Sequence, residues 1–400
     1  MQHVSDTEAA TQAPSEQQLL ERVEALVPLL EAHAFEAEAQ RKPVDSVMRA
    51  IEQTGVYRYF VPRRFGGYEF GMSTFMKIGM ALGEGCVSTA WVTTFCMEHN
   101  WLLSLYNRQA QEDIFGAQPY IIAPGTLAPK GTATPVEGGY RITGRWEWGT
   151  GIMHADWALL GCLMSVEGSD KPDLGMFAVP VDQVQIIDTW QVAGMAATGS
   201  NDVAVKDVFV PAHRVASVTR MRCGDSDGSK WLDSHLYRMP MMAVLGLTAA
   251  APAVGCARKA VKLFRTRLME RMVYGTSTKQ GEKPVTQHRL GQIAIAAENA
   301  EILLMQLARE TEEWGRSGEI CPDAERARLR VRIGDVVRKS RDVVRDVVEA
   351  SGAHAHFLDN PLQRMHRDLH TLSCHTVFDL DISAEQYGRT LLDLPVTMPV

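Results

Sequence analysis

The chain has 400 residues, 46% hydrophobic and 22% charged, which fits one or two packed globular domains and excludes a disordered or fibrous chain. Its formal net charge of -7 argues against a nucleic-acid scaffold, which needs a basic face. Seven cysteines, irregularly spaced and without a CxxC pair, argue against a zinc ribbon or thioredoxin-type chemistry and fit reduced thiols.

Residues 1–15 are polar, with no basic-then-apolar leader pattern. Ser15 and Gln18 predict a capping box. Leu19, Leu20, Val23, Leu26, Val27 and Leu30 follow at helical spacing, with Pro28 expected to kink that helix. Pro43 opens a second helix through Val47, Met48 and Ile51, and Gly55 closes it. Gly66-Gly67 marks a turn after Pro62, and a further helical stretch runs from about Thr74 to Tyr106. From 119 to 215 short runs rich in Gly, Thr, Val and Trp stand between turn signals, which reads as an all-β segment. Amphipathic helical texture then returns through 245–272, 286–314 and 324–350. The expected organisation is a helical domain over 1–118, a β-domain over 119–215 and a helical bundle over 216–400. No apolar run reaches membrane-spanning length, so a cytoplasmic protein with no membrane and no nucleic-acid partner is expected.

Several motifs fit this order. Gly55-Val56 is followed by Val61-Pro62-Arg63-Arg64-Phe65-Gly66-Gly67, a hairpin-like run extends from Gly138 to Gly151, and Val208-Phe209-Val210-Pro211 closes the β-segment. Together they resemble the acyl-CoA dehydrogenase superfamily over nearly the whole chain. The resemblance implies an α+β, mostly helical fold: an N-terminal helical domain, a central β-barrel or sandwich, and a C-terminal four-helix bundle. Three runs are closer to one branch: Trp190 to Met195 with Thr198 to Val203; His154-Ala155-Asp156-Trp157; and Pro361 to Arg364 with Arg367 to His370. They are similar to the oxygenase components of two-component flavin monooxygenases, the branch of p-hydroxyphenylacetate and steroid-pathway phenol hydroxylases. A dehydrogenase Tyr-Glu-Gly-Thr element is absent, and Cys374-His375 stands in the comparable region. Leu127 stands where some phenol hydroxylases carry an aromatic residue.

A lone histidine on a helix is usually structural. His375, with His370 and Asp379 nearby in sequence, gains a second reading, because an imidazole oriented by a carboxylate is a competent base near neutral pH. The resemblance makes His375 the base that deprotonates a phenol, with Asp379 orienting it. Thr150 between two glycines is either a turn hydroxyl or, by resemblance, the hydrogen-bond partner of flavin N5 that protects a C4a-hydroperoxyflavin. Trp148 and Trp101 read first as core residues; a flavin also needs flat apolar walls, and the resemblance places Trp148 there. His99 sits on a helix that, by resemblance, faces the substrate cavity. Arg271 matches an arginine that reaches a flavin phosphate, often across a subunit boundary, and its plain alternative is a solvated charge beside Glu270 and Arg267. Gln287 and Gly352 fall in other regions that meet the cofactor's nucleotide part. His366 and His370 share a helix face but sit in no metal-binding motif, so no metal site is expected.

Neither GxGxxG after a strand nor GxxxxGK[ST] occurs. The resemblance therefore implies reduced FMN or FAD (FMNH2 or FADH2) supplied by a separate NAD(P)H-dependent flavin reductase, together with O2 and a small aromatic substrate. It also implies a homotetramer. The rival reading is an FAD-dependent acyl-CoA dehydrogenase, which needs a glutamate base. A third is a non-catalytic member that binds flavin or a partner; fold alone does not separate these.

Overall fold

Ser15 opens the first helix as its sequence predicts: Oγ accepts from Gln18 N at 3.2 Å, and Gln18 Oε1 accepts from Ser15 N at 2.9 Å. The structure, a computed structural model, describes residues 13–165 and 172–400. The single helix expected through Leu30 is two. Helix α1 (Glu16–Glu24) stops, and α2 (Val27–Gln40) starts with Pro28 in its first turn, where the missing N–H has no partner to lose. Helix α3 (Asp45–Gln53) runs out at Gly55, whose φ of 84° turns the chain. The long stretch from Thr74 also divides. Helix α4 (Met72–Gly85) and α5 (Val87–Ser104) meet at Cys86, whose backbone is extended. Helix α6 (Arg108–Phe115) follows.

The strands are β1 (Gly125–Val136), β2 (Gly139–Trp146), β3 (Trp157–Met164), β4 (Asp173–Pro180), β5 (Gln185–Ile187), β6 (Asp202–Pro211) and β7 (Val215–Ser217). They form one seven-stranded sheet in the order β5-β6-β2-β1-β3-β4-β7. The β1–β3 pair is parallel and the other pairs are antiparallel. Ile142, Trp146, Leu160, Phe177, Val179 and Val203 give the sheet its own apolar cluster.

After α7 (Val218–Arg222) and α8 (Asp227–Trp231) come the long helices α9 (Met241–Glu270), α10 (Pro284–Ser317) and α11 (Asp323–Ser351). Helices α12 (Pro361–Ser373) and α13 (Leu380–Leu391) complete the chain. One apolar core joins the N-terminal helices to this group. Its centre is the α4–α9 crossing, where a Cβ on Gly255 would lie 2.0 Å from Met80 O, so only glycine permits the approach. Helix α9 corrects the sequence reading, because it is long and apolar enough to cross a membrane; 83% of its apolar window is buried in the protein, so that apolarity serves core packing.

Two side chains of α5 fix where the sheet begins. Asn100 Nδ2 donates to Ile121 O, and its Oδ1 accepts from Ile121 N, both at 2.9 Å. His99 Nδ1 donates to Ala123 O. Residues 121–123 therefore run along α5 and deliver the first residue of β1, Gly125, beside His99.

Candidate active site

Almost every residue of α5 is buried, and the half-buried exception is Phe95. Phe95 faces a cleft between α5, the sheet and α12. The cleft has two lobes, of about 240 Å³ and 220 Å³, that share Phe95, Gly125, Trp148, His375 and Thr376. The larger, aromatic lobe is walled by Trp91, Trp148 and Trp190 and floored by Thr150, Thr198 and Ser200. The second lobe holds Glu98, His99, Leu102, Leu127, Met242 and Arg330.

Trp148 is 57% exposed at a φ of 66°, an uncommon backbone state for a bulky residue. The turn is held in place: Gly149 N donates to Asn201 O at 2.9 Å and Thr150 N to Trp148 O at 2.8 Å. Thr150 and Ser200 hydroxyls are 3.0 Å apart, and Ser200 and Thr198 hydroxyls 2.8 Å apart. Flat aromatic walls over buried hydroxyls suit an isoalloxazine, which offers two apolar faces and a polar edge.

His375 follows α12 and projects into both lobes. Trp91 meets its ring edge-on at 5.4 Å between centroids, and Phe95 at 6.0 Å. The residue is exposed to the cleft, yet its ring is packed among Trp91, Phe95 and Phe378. Desolvation there lowers its pKa to about 4, so the imidazole is neutral at pH 7. Its Nδ1 accepts from Val377 N at 3.3 Å, which leaves the neutral ring's hydrogen on Nε2.

Asp379 is not the partner of that ring. Its Oδ1 accepts from Ile382 N at 3.0 Å and caps α13, so the expected orientation of His375 by Asp379 is replaced by a helix cap. Closeness in sequence put the two together; the turn between them sends the carboxylate the other way.

His99 is 4% exposed, and burial lowers its pKa to about 4. With Nδ1–H committed to Ala123 O, its Nε2 carries a lone pair. Glu98, 1% exposed, places Oε2 3.6 Å from that nitrogen. Burial raises the Glu98 pKa well above the usual carboxylate range, so it is held as a neutral acid. Sequence reading passed over Glu98; its adjacency to His99 on a wholly buried helix was the available signal.

Arg271, Gln287 and Gly352 do not line the cleft. They cluster at the far end of the long helices, tied by Arg267 Nη2 donating to Ser351 O at 2.6 Å. All three are exposed, and Gln287 Nε2 donates to Gly281 O at 3.0 Å. Trp101 is a core residue, its Nε1 donating to Leu236 O at 2.8 Å. The His366 and His370 rings lie 4.3 Å apart on α12, tilted by 54°.

Residues 247–380 match the family described as acyl-CoA dehydrogenase, C-terminal domain. The chain belongs to the acyl-CoA dehydrogenase superfamily. Within it, the chain is 33% identical over 383 residues to a pigment production hydroxylase of Rhodococcus sp. (strain ATCC 21145), covering 96% of this chain and 98% of that one. It is also 33% identical to the flavin-dependent monooxygenase oxygenase subunit HsaA of Rhodococcus jostii, over 94% of this chain and 99% of that one. The solved structure of XiaF from Streptomyces sp., in complex with FADH2 and glycerol, superposes with a TM-score of 0.89 at 30% identity, over 96% and 97% of the two chains. Its place is in the branch of flavin-dependent monooxygenase oxygenase components.

Proposed function

We propose that the aromatic lobe binds reduced flavin, that the second lobe binds a phenolic aromatic, and that the enzyme hydroxylates that aromatic with O2. The carrying observation is the meeting of the lobes at Phe95, Trp148 and His375, which sets a flavin-sized aromatic wall against a pocket that holds Glu98 and His99. Bound reduced flavin supplies the activation of O2, which no side chain here provides.

The protein's own part is positioning, dryness and proton handling. Trp91, Trp148 and Trp190 exclude water from the flavin ring. Neutral Glu98 donates to the phenol oxygen, and His99 walls the pocket beside it. His375 is neutral and faces the junction. As base it takes the phenol proton and becomes an imidazolium beside a phenolate, whose charge offsets the lost hydration. Proton uptake at Nδ1 displaces Val377 N and leaves Nε2–H free to donate. The acyl-CoA dehydrogenase alternative needs an ionised carboxylate over the substrate. Glu98 is neutral, and Glu147 is ion-paired with Lys130 at the lobe's edge.

Reduced FMN or FAD comes from a separate NAD(P)H-dependent reductase, as the oxygenase-subunit relatives and the missing dinucleotide motif indicate. Arg271, Gln287 and Gly352 hold the flavin's phosphate end from another copy in a homotetramer. Exposed Met269, Met272 and Tyr274 beside them supply apolar surface for that contact. The seven unpaired cysteines fit a cytoplasmic setting.

The test is rapid mixing. Protein with reduced flavin, prepared anaerobically, is mixed with oxygenated buffer and followed by absorbance. A lasting species that is neither reduced nor oxidised flavin, consumed faster by a phenol, is expected. Direct reoxidation, with copurified FAD bleached by an acyl-CoA, would establish the dehydrogenase instead.

A further inference from the structure

The three hydroxyls of the aromatic lobe are wired in one direction. Thr198 Oγ1 donates to Met195 O at 2.9 Å, and a carbonyl has no hydrogen to give back. Thr198 has one hydroxyl hydrogen, so at its 2.8 Å contact with Ser200 it accepts and Ser200 donates. Ser200 has then spent its own hydrogen. At the 3.0 Å contact between Thr150 and Ser200, Thr150 must be the donor. Thr150 Oγ1 therefore presents only lone pairs to the lobe. All three residues are buried, at 8%, 1% and 3% exposure, so bulk water does not scramble the order.

The end of the chain is anchored. Met195, at a φ of 58°, donates its N–H to Asp368 Oδ1 at 2.6 Å. Its carbonyl also accepts from Trp190 Nε1 at 3.0 Å. Asp368 on α12 and Trp190 thus fix the acceptor toward which every hydroxyl points.

We propose that this polarised chain makes the lobe selective for reduced over oxidised flavin, with Ser200 and Thr198 as positioning residues that act through Thr150. The inference rests on the proposed reading, with the aromatic lobe as the flavin site and Thr150 facing ring nitrogen N5. Ring nitrogen N5 carries a hydrogen in reduced flavin and only a lone pair in oxidised flavin. The reduced form donates to Thr150 Oγ1; the oxidised form brings lone pair against lone pair. Exchange with a reductase gains a direction, because incoming flavin is retained and spent flavin is released.

The test is anaerobic titration of reduced and oxidised FMN and FAD, separately, into wild type and variants, with the reduction potential of bound flavin as a second readout. Ser200→Ala frees the Thr150 hydrogen to point outward. Thr198→Val does the same one link further back, and Thr198→Ser keeps the chain. Loss of one hydrogen-bond preference should collapse the reduced-to-oxidised affinity ratio about tenfold in Ser200→Ala and Thr198→Val, mainly through tighter oxidised binding. Thr198→Ser should keep the wild-type ratio and potential. Equal shifts of both redox forms, or an unchanged ratio, would overturn the proposal while leaving the lobe as the flavin site. If Thr150→Val changes neither affinity, the placement of flavin in this lobe falls, and the proposal falls with it. Should Thr198→Val misfold, Ser200→Ala carries the test.

Discussion

In the aromatic lobe Thr150, Ser200 and Thr198 each have a hydrogen-bond partner inside the protein. Past Phe95, Glu98 Oε1, Thr126 Oγ1 and Arg330 Nε are buried and have none among the described residues. A buried polar atom without a partner costs about 1–3 kcal/mol. One lobe is finished before anything binds. The other depends on what enters it to supply the missing bonds, which is how a pocket rejects ligands that lack the matching groups. On the proposed assignment, the contrast is between a cofactor site preorganised for one ring system and a substrate site whose specificity lies in its unmet polar groups.

Removing the group at the junction should have the largest effect. His375→Ala is expected to cut product formation at saturating reduced flavin about 10²- to 10⁴-fold, the range for a lost acid–base group. The measurement is hydroxylated product per flavin oxidised. Retained yield would mean that the junction is not where the chemistry occurs.

Glu98 gives a sharper division of the lobes. Glu98→Leu should raise the substrate KM about tenfold through a lost hydrogen bond, whereas Glu98→Gln, neutral like the native side chain, stays within a few-fold. Flavin affinity should not move in either variant. Equal damage by Gln and Leu would show that the native carboxyl works ionised.

The pH profile tests the same neutrality. Burial disfavours the imidazolium of His375, so its pKa falls from 6.5 to about 4 and the ring stays neutral as pH drops between those values. At saturating flavin and substrate, hydroxylation should hold from pH 7 downward and lose its base only near pH 4. An acid limb at 6.5 would instead indicate a ring solvated like a free histidine.

The smallest effect falls outside both lobes. Asp379→Ala should cost about 1 kcal/mol of stability, the usual worth of a helix cap, with turnover unchanged. Lost turnover at unchanged melting temperature would restore Asp379 to the site.

These residues show what a sequence displays and what it hides. Helices, strands and their order were legible because burial imposes periods that survive in one dimension. The breaks at Pro28 and Cys86 were less so. Proline is compatible with a kink or a new first turn, and nothing local marks Cys86 as extended. Thr150, Trp148, His99 and His375 stood out because residue type and family motif agreed. Glu98 and Arg330 were not singled out, since a charge in a helix reads as solvated until the fold buries it. The role of Ser200 was hidden for another reason. Its donor direction is set by Met195 O, and partner choice is a tertiary fact. Asp379 misled because four residues of separation say nothing about which way a capping side chain points.

Helix α5 presents Trp91 and Phe95 to the aromatic lobe and Phe95, Glu98, His99 and Leu102 to the other. Of these side chains Phe95 alone borders both lobes, so a change there reaches both. The opposite wall of the second lobe is built differently, from Thr126, Leu127 and Ala128 on β1 and from Met242 and Leu245 on α9, none of which borders the aromatic lobe. Evolvability is therefore unevenly distributed over the pocket. On the proposed assignment, β1 and the start of α9 can change to accept other aromatics without touching the flavin lobe, whereas Phe95 on α5 cannot.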